Sequence, residues 1–452
     1  MGKSLILAFL AAAALPGQDV RTIFAGSGDP RPRGEIDRLV FARLKQLGIR
    51  PAAPASDAVF LRRVYLDVTG TLPEPAEAAR FLASSDPEKR AALIDELLER
   101  GEYAEYQAMK WADVLRVKAE FPINLWPNAA QAYHRWILAS IRGNKPYDRF
   151  ARELLTATGS NFREPPVNFY RAVQGRNPGA FAQAAALTFL GARASRWPAE
   201  RLEGMSAFFA RIGFKETREW KEEIVFFDSS KPVPAGAMLP DGTRVRLAPE
   251  EDPREVFAAW LVSPRNPDFS RAAANRVWSW LFGRGIVHEP DDMRPDNPPA
   301  NPALLDYLGR EFTASGYDLK KLYRLILNSA TYQLAPVPAD KAPEGAANFA
   351  YYQPRRLEAE VLIDALCQIT GTTESYSSAI PEPFTYVPEG QRSATLPDGS
   401  ISSSFLELFG RPPRDTGFES ERNNRLTAAQ RLHLLNSSHV QRKIEQSPKL
   451  QV

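Results

Sequence analysis

Apolar residues recur at three- and four-residue spacing along nearly the whole chain, and 38 prolines cut that pattern into short lengths. A chain patterned this way folds as many short helices. The pattern is densest across residues 271–332. There Ala274, Val277, Trp278, Leu281 and Phe282 share a helix face, and Gly283 is placed to close the helix in a left-handed conformation. A second helical pattern ends at TYQL. Between them lies an acidic loop carrying His288, Glu289, Asp291, Asp292, Arg294, Asp296 and Asn297. Pro295, Pro298, Pro299 and Pro302 hold that loop extended, because each fixes its own φ and restricts the residue before it. Such a loop can present side chains to a ligand in a fixed array. It can equally cap helices and pair with Arg276, Arg284 and Arg294.

The rest of the chain divides around this stretch. Residues 1–17 read as a signal peptide, with Lys3 as the positive end, Leu5 to Leu15 as the apolar core, and small residues near a cut after Ala14 or Gly17. An uncut N-terminal anchor is the alternative, although so short an apolar run does not span a bilayer comfortably. No later run approaches its length, so no transmembrane segment is expected after cleavage, and the location is expected to be periplasmic or extracellular. Residues 34–212 read as an N-terminal helical domain, with Ser56 and the Asp86-Pro87 pair as helix starts. Residues 213–251 break the period: WKEEIVFF and GAMLPDGTRVRL read as short strands and a hairpin around Pro240-Asp241-Gly242. Asp252-Pro253 then opens a C-terminal helical domain over 252–446. The expected class is mainly α, two helical domains joined by a small β-hairpin insert.

Composition excludes several functions. The net charge is +3 with signs well mixed, which makes no case for a nucleic-acid or anionic-membrane binder. The single cysteine, Cys367, sits in an apolar helical pattern and cannot form an internal bridge. Phosphate-binding loops, dinucleotide fingerprints and nucleophile elbows are missing. The four histidines are scattered, and His433 and His439 lie off a shared helical face. No metal and no cofactor are expected.

Several longer motifs carry a family resemblance. NRVWSWLFGRGIV, DDMRPDNPPANPALLDYL and GYDLKKLYRLILNSATYQL resemble the second of two linked bacterial families, domain-of-unknown-function family 1553. FLRRVYLDVTGTLP (60–73) and KPYDRFARELLTATG (145–159) resemble the first, family 1549. Both are also called planctomycete cytochrome-associated domains, and the resemblance implies secreted proteins found with cytochrome c-like domains and polymer-degrading systems. It also implies thiols that this chain lacks. A C-x-x-C-H-x-H-P run is expected where TFLGARA (188–194) stands, and C-E-C-E-R where Phe418-Glu419-Ser420-Glu421-Arg422 stands. A metal or redox site built on those thiols would be missing here. The resemblance further implies more helices after HLLNSSHVQRKI.

Two function classes remain. One is an exported, non-enzymatic helical protein, a binding or accessory component whose partner is an extracellular polymer or another exported protein. The other is a glycosidase-like hydrolase, with Asp291, Asp292, Glu419 and Glu421 as candidate acid and base. His288 is the histidine best placed for function, and a neighbouring carboxylate is expected to raise its pKa. Candidate ligand-binding residues are Arg294, Asn297, Tyr351, Arg355, Arg356 and Arg422, by stacking and bidentate hydrogen bonds or else as structural ion pairs. Arg294, Arg355, Arg356 and Arg422 balance Asp291, Asp292, Glu419 and Glu421 in number, so one network joining the loop to the 418–422 segment is expected.

Overall fold

A computed structural model describes residues 21–450, so the expected signal peptide lies outside the described residues. The protein is mainly α with one small sheet. The helices that build the candidate site are α1 (Glu35–Gln46), α2 (Asp57–Val68), α3 (Gly101–Val114), α4 (Pro178–Leu190), α5 (Pro253–Leu261), α6 (Pro267–Phe282), α7 (Pro302–Ala314), α8 (Leu319–Leu327) and α9 (Ala359–Thr370). Their ends follow local chemistry. Asp252, Asn266 and Asn301 accept hydrogen bonds from the first turns of α5, α6 and α7, each with proline at the next position. Gly283 closes α6 at φ 72°. The helix expected to start at Asp86-Pro87 instead begins at Lys89, because Asp86 folds back to accept from Glu88 N at 2.8 Å. Among the described residues no helix is long and apolar enough to cross a membrane.

The sheet departs from the expected hairpin. Strands β1 (Gly159–Ser160), β2 (Ile212–Glu216) and β3 (Glu223–Phe227) pair antiparallel in the order β1-β3-β2. The partner of the WKEEIVFF strand is therefore the upstream segment at 212, which had read as the end of a helix. GAMLPDGTRVRL does turn back on itself at Pro240-Asp241-Gly242, with Leu239 N donating to the Thr243 carbonyl and Val245 N to the Ala237 carbonyl at 2.9 Å each, but it stays outside the sheet. A physical reason lies at Gly213, which faces Phe226 across the ladder. A methyl group there would stand 2.6 Å from the Phe226 ring, so glycine lets the ring lie flat over the strand.

One apolar core runs through both halves, from Ile36, Val64 and Trp111 to Trp278, Leu308 and Phe349. A smaller cluster around Ile363, Phe405 and Phe409 lies under α9. A polar seam joins the start of the chain to the segment after α8. The fully buried Asp37 of α1 accepts from Ala330 N at 3.0 Å, and from Thr331 N and Thr331 Oγ1 at 2.8 Å each. Arg63 of α2 donates to the carbonyls of Tyr332 (2.6 Å) and Leu334 (2.9 Å). Asp67 accepts from the hydroxyls of Tyr332 and Tyr352 and from Arg355. Each buried charge thus finds its partners on the other side of the seam, as burial demands.

Candidate functional site

A cleft of about 640 Å3 opens where α3, the end of α6, the residues before α9 and the 419–425 segment converge. From α3 come buried Lys110 and half-buried Asp113, on a helix whose buried positions are mostly apolar. The C-terminal end of α6 supplies Trp280, and the following turn supplies Arg284 and His288. Asn275 fixes that turn by pairing both ways with the Val287 backbone, at 2.9 and 3.0 Å. Arg355 and Glu358 come from the approach to α9, and Glu419 and Arg422 from the far segment.

The cleft floor is an array of charge-assisted bonds. Lys110 Nζ meets Glu358 Oε1 at 2.6 Å, and the Tyr106 hydroxyl donates to the other Glu358 oxygen at 3.1 Å. Arg422 joins Asp113 at 2.6 Å and Glu360 at 2.7 Å. Arg355 pairs with Asp67 at 2.7 Å and donates to the last carbonyls of α6, Trp280 and Leu281, at 2.8 Å each. Trp280 Nε1 donates to Glu419 Oε1 at 2.5 Å, and Glu419 N donates to Asp291 Oδ2 at 2.6 Å.

These surroundings drive two carboxyls in opposite directions. Burial pushes the Glu419 carboxyl up, and the Asp291 charge adds to the effect. Arg276 and the Trp280 N–H offset only part of it, leaving Glu419 at about 7. Burial also opposes ionisation of Glu358, but Lys110 and Arg422 outweigh it and hold that carboxyl at about 2. His288 moves down, against expectation: desolvation of its ring and the Arg284 charge outweigh Glu289. Asp291 is raised by burial, which Arg276 opposes.

The sequence candidates are distributed unevenly around this cleft. Glu419, Arg355, Arg422 and His288 line it. Asp291 lies behind the wall, paired with buried Arg276 at 3.3 Å, while Arg276 also holds the Thr188 and Leu187 carbonyls. Asp292 pairs with Arg196 and Arg294, and Arg294 also with Asp296, over a separate hollow. Asn297 clips the loop by donating to the carbonyls of His288 and Asp292 at 2.9 Å. Glu421 accepts from Thr416 N and Oγ1. Arg356 donates to the carbonyls of Leu357, Phe409 and Asn423. Tyr351 packs against the main core. The loop and the 418–422 segment do meet, but the expected arginines do not join them: the link is Arg276–Asp291–Glu419 N. Arg294 does pair with Asp292, but within the loop, while Arg355, Arg356 and Arg422 instead find Asp67, backbone carbonyls and Asp113, respectively.

Lys110, Asp113, Trp280 and Glu358 were not singled out from sequence, and Arg284, read there only as a partner for the loop carboxylates, pairs with none of them. The signal for two of them was present: Lys110 and Asp113 recur one turn apart on an otherwise apolar helix face. The two thiol-poor segments also face each other, the Arg193 guanidinium lying 5.1 Å from the Phe418 ring centre. Among the described residues no group of three or more His, Cys, Asp or Glu side chains is placed to hold a metal ion.

Fold and cleft define a two-part, mainly helical protein with a charged cleft between distant segments. Residues 35–200 match the family described as PSCyt2, protein of unknown function (DUF1549), and residues 253–450 match PSD1, protein of unknown function (DUF1553). The chain belongs to this pair of families, one domain of each in tandem. Comparison with curated proteins and with solved structures finds no match.

Proposed function

We propose that this is an exported protein that holds an extracellular polymer in the cleft beside Trp280, as a binding or accessory component of polymer handling. The observation that carries the reading is convergence. Four segments far apart in sequence bring a half-buried tryptophan, arginines and carboxyls to one open cleft. A ring edged by bidentate donors and acceptors is the chemistry that grips a saccharide chain, the ring by stacking and the donors by orienting hydroxyls. Calorimetric titration of the full mature chain with soluble glycans tests it. Saturable binding that is lost in Trp280→Ala, with the fold retained by circular dichroism, is the expected result. Equal affinity of the variant would place the ligand elsewhere.

A second reading, a glycosidase-like hydrolase, is supported by one specific observation. Glu419, near 7, and Glu358, near 2, line the same cleft, so one carboxyl is able to donate a proton while the other stays ionised. New reducing ends released by the chain but not by Glu419→Gln would favour catalysis. Binding without release in both would leave the accessory role.

A further inference from the structure

The cleft's charges are unevenly paired. Lys110 is matched by Glu358, Arg422 by Asp113 and Glu360, Arg355 by Asp67, and Glu289 by Arg193. Two cations of the cleft are left over. Arg284, in the turn after α6, has no carboxylate within ion-pair distance among the described residues. Its Nε is buried with no hydrogen-bond partner. Arg425, from the 419–425 segment, is exposed and its side chain is likewise without an ion-pair partner among the described residues. Against them stands one carboxyl with no cation at ion-pair distance, Glu419, whose hydrogen bond from Trp280 is to a neutral donor.

A buried guanidinium nitrogen with no acceptor is costly, and arginine presents a rigid fork that matches carboxylate and sulfate oxygens. Burial alone holds the Arg284 pKa below its ordinary value, as expected for a cation facing no counter-charge. Other arginine nitrogens are buried without an acceptor too, among them Arg116 Nε and Arg276 Nε, although Arg276 also has Asp291 and two carbonyls, and Arg254 has Asp252. What sets Arg284 apart is its place: it is half-buried in the wall of an open cleft, where an anion from outside the chain can reach it.

Resting on the polymer-binding reading, we propose that the cleft takes an anionic saccharide, one bearing carboxylate or sulfate groups, with Arg284 and Arg425 clamping the anion and Trp280 stacking on the ring beside it. Uronates and sulfated sugars share this chemistry, a planar or tetrahedral oxyanion a bond or two from a pyranose face. Arg284 contacts the anion directly and specifies charge, while Trp280 specifies the ring.

The test uses the full mature chain and three soluble polymers: polygalacturonate, dextran sulfate and neutral dextran, titrated at near-physiological salt. The expected result is binding of at least one anionic polymer and no binding of neutral dextran. Arg284→Ala should weaken that binding about 10- to 100-fold, the range for losing a hydrogen-bonded charge contact. Arg218→Ala, which removes an exposed arginine from the β2–β3 turn, controls for diffuse charge and should change affinity less than about twofold. Comparing polygalacturonate with dextran sulfate decides between carboxylate and sulfate. If neutral dextran binds as well, in a Trp280-dependent way and indifferent to Arg284→Ala, the anionic assignment is overturned while polymer binding stands. Equal losses in Arg284→Ala and Arg218→Ala also overturn it. If none of the three polymers binds, both readings fall together.

Discussion

At the tip of the acidic loop Arg294 pairs with Asp292 and Asp296, its neighbours in sequence, on an exposed surface. In the 418–422 segment Arg422 reaches Asp113, 309 residues away, and the fully buried Glu360. The two stretches are alike in charge density, yet the fold uses them oppositely. Near-neighbour pairs in solvent trade water contacts for ion contacts at little net gain. A pair drawn across the fold sits where water is excluded, and removing one member leaves the other short of a buried partner, here with only Arg414 beside Asp113 and Arg411 beside Glu360. The difference lies in what surrounds each segment, since apolar helix faces close over one and solvent bathes the other.

The largest effect expected from this contrast is at Arg422. Arg422→Ala should cost about 3–5 kcal/mol in denaturant unfolding, because Asp113 and Glu360 lose a buried partner. A loss under about 1 kcal/mol would erase the contrast. The next concerns the pH dependence of stability. Glu419 is raised to about 7, so the folded chain keeps a proton that the unfolded chain releases from about 4.5 upward. The stability tied to that proton is full below about 4.5 and is lost as pH rises through about 7, with a slope of at most about 1.4 kcal/mol per pH unit. Glu419→Gln should flatten this fall in melts between pH 5 and 8. Glu358, held at about 2, acts with the opposite sign: its contribution is present above about 4.5 and lost as pH falls toward 2. A Glu419→Gln profile parallel to the parent's would mean the carboxyl is ionised throughout.

Third, Arg356→Ala should cost about 1–3 kcal/mol through the carbonyls it leaves unpaired. Combined with Glu421→Ala the losses should add within about 0.5 kcal/mol, since Glu421 is held by Thr416 and not by Arg356. Coupling above that would bring the two into one network. The smallest effect is expected from Arg294→Ala, under about 1 kcal/mol by thermal melting. A larger loss would show that the loop tip carries load.

Much of the helical fold was legible because its signals are local. Asp252, Asn266, Asn301 and Gly283 sit at the helix ends they chemically favour, and the apolar periodicity fills the core. The sheet was misread at one partner. Residues 207–212 are apolar apart from Arg211 and suit a helix end; 207–209 do form a short 3-10 helix, and the strand begins at Ile212, where Gly213 makes room for Phe226. The site was legible at Glu419, Arg355, Arg422 and His288, whose motifs are dense in polar groups. Which carboxylate each arginine would meet could not be read, because that depends on tertiary proximity. Asp67 and Asp113 lie hundreds of residues from Arg355 and Arg422. Trp280 was hidden by being one aromatic among several on an apolar helix.

The seam at Asp37 has a consequence in time. Its partners, the Ala330 and Thr331 amides, lie 293 and 294 residues further along the chain. A ribosome making this protein releases the first helix long before the groups that receive it exist. Until most of the chain has been made, α1 has nothing to dock on, and Asp37 remains in water. Contacts spanning such distances close late and slowly. Helix pairs that are neighbours in sequence can pack as they emerge, but this seam closes only once most of the chain has been made. On the export proposed above, that delay keeps this seam open until the chain has threaded its channel.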